Sequence, residues 1–235
     1  RASRRRYPSL LWRTTSPVID SDMAEQLASS LLPVVVGANH RSSSMALRDR
    51  LFVEDPLVPA FLAELKEQGL TEAMVLSTCD RIEVHCVHED PVAVEAIVHQ
   101  CFSRQAEISR EEIHAQIYTA SGDPALRHIF RVAASLESQV IGEPQVLGQV
   151  KAAHRMARDA DMIGSSMETI LQAAYGAAKR VRTETAIGER PVSIASAAVQ
   201  LARDIQGDLD RSRGVLIGDG EMGELVASQL LNAGL

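Results

Sequence analysis

Val215-Leu216-Ile217 runs straight into Gly218-Asp219-Gly220-Glu221-Met222-Gly223, an apolar run followed by the G-x-G-x-x-G spacing, and only twelve residues follow Gly223. In that pattern a strand ends at Ile217, and the glycines permit a tight turn and close backbone approach to a pyrophosphate. Glu221 to Leu231 then forms a helix whose N-terminal amides face the phosphates. The spacing of Met222, Leu225, Val226 and Leu230 fits such a helix. A complete doubly wound domain needs several more βα units, including the residue about twenty positions on that grips the ribose and separates NAD from NADP. Twelve residues cannot supply them, so the bulk of the chain must fold around a core of its own.

The remaining chain has the means to do so. It is 46% hydrophobic with only 3% aromatic residues, which predicts a mostly aliphatic core. No apolar run is long enough to cross a bilayer, so a protein without a membrane span is expected. Cys79, Cys86 and Cys101 form an odd set without metal-type spacing, which points to a reducing compartment and away from disulfides or a metal cluster. Residues 1–22 carry a net +3, and the rest, with 19 basic against 29 acidic residues, a net −10. An acidic body argues against non-specific nucleic-acid binding, so any RNA contact has to use a local basic surface. The Arg- and Ser-rich start precedes Met23-Ala24-Glu25, which reads as a natural initiation site. Residues 1–30 are expected to be disordered, with a transit segment as the alternative reading of 1–22.

From Leu32 the pattern becomes one of short alternating elements. Val34 to Val36 reads as a strand ending in the turn Gly37-Ala38-Asn39-His40, followed by helices over 44–51 and 58–68. Strands over 73–77 and 82–87 flank a tight turn at Thr78-Cys79-Asp80-Arg81. A helix over 91–103 and a strand over 113–119 complete the order β-α-β-β-α-β, a ferredoxin-like split βαβ sandwich of the α+β class. An appended helical subdomain follows. Asp123 caps a helix running to Ser138, with Pro124 at its first position. Pro144 opens another reaching Asp159, and Ser165 or Ser166 a third to Thr185. A loop over 188–191 and a helix over 192–205 lead to the Rossmann-like segment. The predicted units are 31–188 and 189–235, with the boundary near Gly188.

Two stretches carry candidate chemistry. Cys79, exposed at a strand end near a guanidinium, has the setting of a nucleophilic thiol, although most cysteines are simply small buried hydrophobes. Cys86 and Cys101 take that second description. Further on, Ser138-Gln-Val-Ile-Gly142-Glu143-Pro144-Gln145-Val-Leu-Gly148-Gln149 puts polar groups between two apolar helices. Gln145 and Gln149 share a helix face and can present amides to a polar ligand. Helix capping accounts equally well for Glu143 and Pro144.

Five ordered segments, Gly37 to His40, Ser77 to Arg81, Ser135 to Gln149, Val181 to Gly188 and Gly218 to Gly223, resemble glutamyl-tRNA reductase, the first enzyme of the C5 route to tetrapyrroles. The resemblance runs from about Val34 to Leu235. It implies that Cys79 attacks the activated ester of glutamyl-tRNA(Glu), and that hydride from NADPH releases glutamate-1-semialdehyde from the resulting thioester. It places Arg81 where the substrate carboxylate is held. It places Thr78, Asp80, Ser138, Glu143, Pro144, Gln145 and Gln149 at substrate-binding positions, and Gly218, Asp219, Gly220, Glu221, Met222 and Gly223 at the cofactor. His128 matches a histidine important for activity, with acid/base help as its implied role and a plain core or surface histidine as the alternative. The family's homodimer, its aminomutase partner and a cytoplasmic location are likewise implied, with the plastid as the alternative if 1–22 is a transit segment. Because the chain lacks the rest of the NADPH domain and the helical dimerisation domain, poor NADPH binding and no family dimer are expected.

Departures from the family pattern matter too. Asp80 replaces the usual Asn, and a carboxylate beside a thiol raises the thiol's pKa. Asp219 puts a negative charge in the phosphate-binding turn in place of Ala, and the run after His40 also differs. For this chain, a cysteine-dependent glutamyl-tRNA hydrolase and a non-catalytic glutamyl-tRNA-binding module stand as alternatives to the full reductase.

Overall fold

The structure is a computed structural model that describes residues 31–188, 194–218 and 221–235. The N-terminal extension, the loop after Gly188 with the boundary expected there, and Asp219-Gly220 lie outside the described residues. Strands β1 (Leu32–Asn39), β2 (Ala73–Ser77), β3 (Arg81–His88) and β4 (Tyr118–Ser121) form one antiparallel sheet in the order β2-β3-β1-β4. Strand β3 is inserted between β1 and β2, and β1 between β3 and β4. Two βαβ units are thus interleaved, as the element order predicts. In the register, Gly37 faces Glu83 and Asn39 faces Arg81.

Helices cover both faces of this sheet. The first three are α1 (Met45–Leu51), α2 (Val58–Glu67) and α3 (Pro91–Ala106). Ser44 caps α1 through its side chain, and Asp90 caps α3 by accepting from the amides of Val92 and Ala93. Helix α3 packs on β1 and β3 and is flanked by α1 and α2. The chain then forms the short α4 (Arg110–His114). The second group comprises α5 (Asp123–Ala133), α6 (Gln145–Asp159) and α7 (Ser165–Glu184). Helix α5 covers β1 and β4 and stacks on α7, while α6 runs along β2. Val34, Val35 and Val36 are therefore all buried, although successive side chains point to opposite faces. Helices α8 (Ile194–Gln206) and α9 (Glu221–Asn232) pack on each other.

Four expectations need correction. The turn expected over Gly37–His40 begins only after Asn39, because Gly37, Ala38 and Asn39 pair with Glu83, Ile82 and Arg81 in the ladder of β1. The strand predicted from Ile113 begins only at Tyr118, because a reciprocal capping box between Ser109 and Glu112 starts α4, which takes Ile113 into the core. The helix predicted over 123–138 has Gly122 as its cap and ends at Ala133. There Ser135 turns to φ 60°, and the amides of Ser135 and Leu136 bond back to the carbonyls of Val132 and Arg131. The apolar run Val215 to Ile217 is not a strand. It is exposed, and no described strand lies beside it to satisfy its backbone groups. Helix α9, expected over 221–231, forms.

Candidate active site

The turn between β2 and β3 is built by its own side chains. Thr78 N–H donates to the Arg81 carbonyl at 2.8 Å, and the Thr78 hydroxyl oxygen accepts from the amides of Asp80 and Arg81, both at 3.2 Å. This turn lifts Cys79 into solvent. The turn after β1 is tied to it, since His40 N–H donates to the Asp80 carbonyl at 3.1 Å. The segment Gly37-Ala-Asn-His40 thus supports the cysteine turn from the neighbouring strand.

Behind the turn lies a cleft of about 500 Å³. Thr78, Cys79, Asp80, Arg81, Ser138, Glu143, Gln145 and Gln149 all line it, so the structure brings together eight of the ten predicted catalytic and substrate residues. Pro144, the cap residue of α6, is not among the lining residues, and neither is His128. Glu54 and Asp55, which belong to no motif in the sequence, are. The charged lining therefore consists of Glu54, Asp55, Asp80 and Glu143 against Arg81 alone among the described residues. The far wall is formed by α6 together with Ser138 and Glu143 of the loop that precedes it. The fold of that loop is held by Ser135 Oγ donating to the Glu143 carbonyl at 2.8 Å and by Arg182 of α7 donating to the same oxygen at 3.3 Å.

Beneath the cleft is a buried charge network. Arg81, Glu83 and His85 alternate along β3 and so share one face. Arg81 Nη1 donates to Glu83 Oε1 at 2.9 Å, and Nη2 donates to the Glu137 carbonyl at 2.6 Å and to Asp80 Oδ2 at 3.2 Å. Glu83 also accepts from the Tyr118 hydroxyl, and its Oε2 lies 2.6 Å from His85 Nε2 and 3.1 Å from His128 Nε2. His128 thus meets the site through Glu83 and Arg81. Gly37 makes room for this arrangement, because a Cβ there would lie 2.3 Å from the Ile82 carbonyl oxygen and 2.7 Å from Glu83 Cα. Sequence reasoning missed Glu83, because only the pairing of β1 with β3 brings it opposite Gly37.

Burial would push the Glu83 carboxyl upward, but Arg81 and the hydrogen bonds from His128 and His85 hold it well below its ordinary range. The Cys79 thiol is shifted the other way. Surrounding protein displaces water from it, and the Asp80 and Glu143 carboxylates add to the upward shift, while Arg48 opposes it. Asp80 is itself held by Arg81 and by Gln139 Nε2 at 3.0 Å, and His40 Nδ1 sits 2.8 Å away without hydrogen-bond alignment. Cys86 and Cys101 are buried, with thiols pushed up to about 12 mainly by burial, and are chemically quiet.

At the cofactor segment, Gly218 has φ +122°, and a Cβ at Gly223 would lie 3.3 Å from Leu216 Cδ1. The turn expected to bind pyrophosphate includes Asp219 and Gly220, which lie outside the described residues. No sheet to seat the rest of a dinucleotide is present among the described residues.

Fold and site together define an α+β domain with a solvent-facing cysteine at the lip of an acidic cleft. The family model for the N-terminal domain of glutamyl-tRNAGlu reductase matches residues 36–185. The chain is 49% identical over 202 residues to glutamyl-tRNA reductase of Rhodospirillum rubrum and 40% identical to that of Solibacter usitatus, covering 86% of this chain in each case and 47% and 48% of those proteins. The solved structure of glutamyl-tRNA reductase from Methanopyrus kandleri matches at 30% identity with a TM-score of 0.60, over 86% of this chain and 47% of that one. This chain belongs to the glutamyl-tRNA reductase family. It spans about half the length of the curated relatives it matches.

Proposed function

We propose that this chain carries the acyl-transfer half of an NADPH-dependent glutamyl-tRNA(Glu) reductase, which makes glutamate-1-semialdehyde in the first step of tetrapyrrole synthesis. The observation that supports it most is the charge pattern of the cleft. Four carboxylates and one guanidinium suit a group bearing an ammonium and a single carboxylate, and do not suit a polyanion. A glutamyl residue is such a group, and the attached RNA stays outside. Gln145 and Gln149 offer amides to the same group from one face of α6.

In this reading the Cys79 thiolate attacks the ester carbonyl carbon. The carbon–oxygen bond to the tRNA ribose breaks, and the departing ribose oxygen takes a proton from solvent. A thioester remains on Cys79. Arg81 takes the substrate carboxylate on its Nη2 edge, which requires Asp80 to give way. Glu83 keeps the guanidinium aligned, and Tyr118 and His128 keep Glu83 in place. No imidazole lines the cleft among the described residues, so thiolate supply depends on pH. Gly218, Gly220 and Gly223, with the first amides of α9, would hold the pyrophosphate of NADPH, which when bound supplies the hydride that reduces the thioester. The aminomutase that consumes the aldehyde belongs to the same reading, as does the homodimer for the full-length family, though not for this chain.

Incubation with glutamyl-tRNA labelled on glutamate, without NADPH, tests it. Label held covalently on the wild-type chain and absent from Cys79→Ser is the expected result. A folded wild-type chain that takes no label overturns the proposal, and free labelled glutamate instead of an adduct marks a hydrolase.

A further inference from the structure

On the far helical layer, away from the cleft, Glu95 and His99 lie one turn apart on α3, and His114 is the last residue of α4. One ligand atom from each lies within 4.8 Å of the others. His99 is only 7% exposed, and its Nε2 has no hydrogen-bond partner, an uncommon state for a buried polar atom. The two imidazoles meet edge to face with ring centres 5.7 Å apart. We infer that Glu95, His99 and His114 form a binding site for a divalent transition metal of the zinc class, with water completing the coordination.

The donor set selects the metal. Two imidazole nitrogens with one carboxylate oxygen suit zinc, nickel or copper, whereas magnesium and calcium take oxygen ligands. Tetrahedral zinc with bonds near 2.05 Å holds its ligand atoms about 3.3 Å apart. Closing from the observed spacing therefore needs only small adjustments of Glu95 and His114, which are half-buried and exposed. The groups facing His99 are Glu95, His114 and Arg110, and the Arg110 guanidinium is drawn aside by Gln100 Oε1 at 3.2 Å. Burial shifts the His99 imidazole downward from its ordinary pKa.

Glu83, His85 and His128 also offer three close ligand atoms. There the carboxylate is already engaged by Arg81, and a cation would sit beside a buried guanidinium. At the site on α3 and α4 the nearby guanidinium, Arg110, donates to Gln100 Oε1. A bound ion would pin α4 to α3, and α4 leads directly into β4 and Tyr118.

Titration of the whole chain with zinc chloride, followed by calorimetry, tests the inference. One equivalent should bind to the wild type and persist in Cys79→Ser. His114→Ala and Glu95→Gln, which alter accessible side chains and should melt as the wild type does without metal, should weaken that equivalent by more than the roughly 10- to 100-fold typical of losing an outer-shell partner. Binding unchanged in both variants, binding lost only in Cys79→Ser, or no binding at all would each overturn it.

Discussion

Arg81, Glu83 and His85 are 2%, 0% and 1% exposed, whereas Val215, Leu216 and Ile217 are 88%, 51% and 94% exposed. Ordinary hydropathy would place these two triplets the other way round. The charged one is inside because each member finds partners there and because helices cover both faces of β3. The apolar one is outside because no described strand pairs with it, and α9 reaches Leu216 without burying it. Burial here follows from what the neighbouring elements provide, and side-chain polarity alone decides neither case.

The contrast can be tested directly. Glu83→Gln should have the largest effect, because it removes the fully buried carboxylate that pairs with Arg81. We expect a loss of about 3–5 kcal/mol in urea unfolding. A loss below about 1 kcal/mol would mean that the network contributes little to holding the fold. The same variant should change the acid limb. The folded pKa of Glu83 lies below the unfolded value, about 4.3, so its stabilisation is full above that value and is lost as pH falls through the folded one. Stability of the variant should therefore decline less steeply in acid.

Gly37→Ala comes next. The added methyl group meets backbone on β3, and the strain should cost about 1–3 kcal/mol. Asp80→Asn should leave stability nearly unchanged and act on chemistry. With that negative charge removed, the Cys79 pKa falls, and the pH profile of iodoacetamide alkylation moves to lower pH. A profile that stays in place would leave burial and Glu143 to account for the raised thiol. The smallest effect belongs to the exposed triplet. Val215→Ser and Ile217→Ser should change unfolding of the β1–α7 body by less than about 0.5 kcal/mol.

Much of the scaffold is legible in the amino-acid sequence itself. β2 lies where its apolar run and the turn residues after it place it, Asp90 caps the helix begun by Pro91, and Pro144 marks a helix start by its fixed φ. Cys79 is readable because an exposed cysteine at a turn is local information. Glu83 and His85 are not, because R-I-E-V-H alternates as a strand with one wet face does, and only the helices far along the chain make that face dry. Helix α4 is hidden although Ser109-x-x-Glu112 is a capping-box spacing, since the β-rich run after Ile113 outweighs it. The strand expected at Val215 fails for the opposite reason. Its local pattern is right, but a strand exists only with a partner.

The Arg182 bond to the Glu143 carbonyl spans 39 residues, and Ile187 sits directly under Gly142, where an added Cβ would meet its side chain at 3.0 Å. One wall of the cleft is thus moored to the last turn of α7, a helix with no residue among those lining the cleft. Each residue inserted in α7 ahead of Arg182 would rotate that mooring by about 100° around the helix axis. The wall facing Cys79 is therefore coupled to the angular phase of a distant helix, and it can be shifted without altering a single residue that lines the cleft.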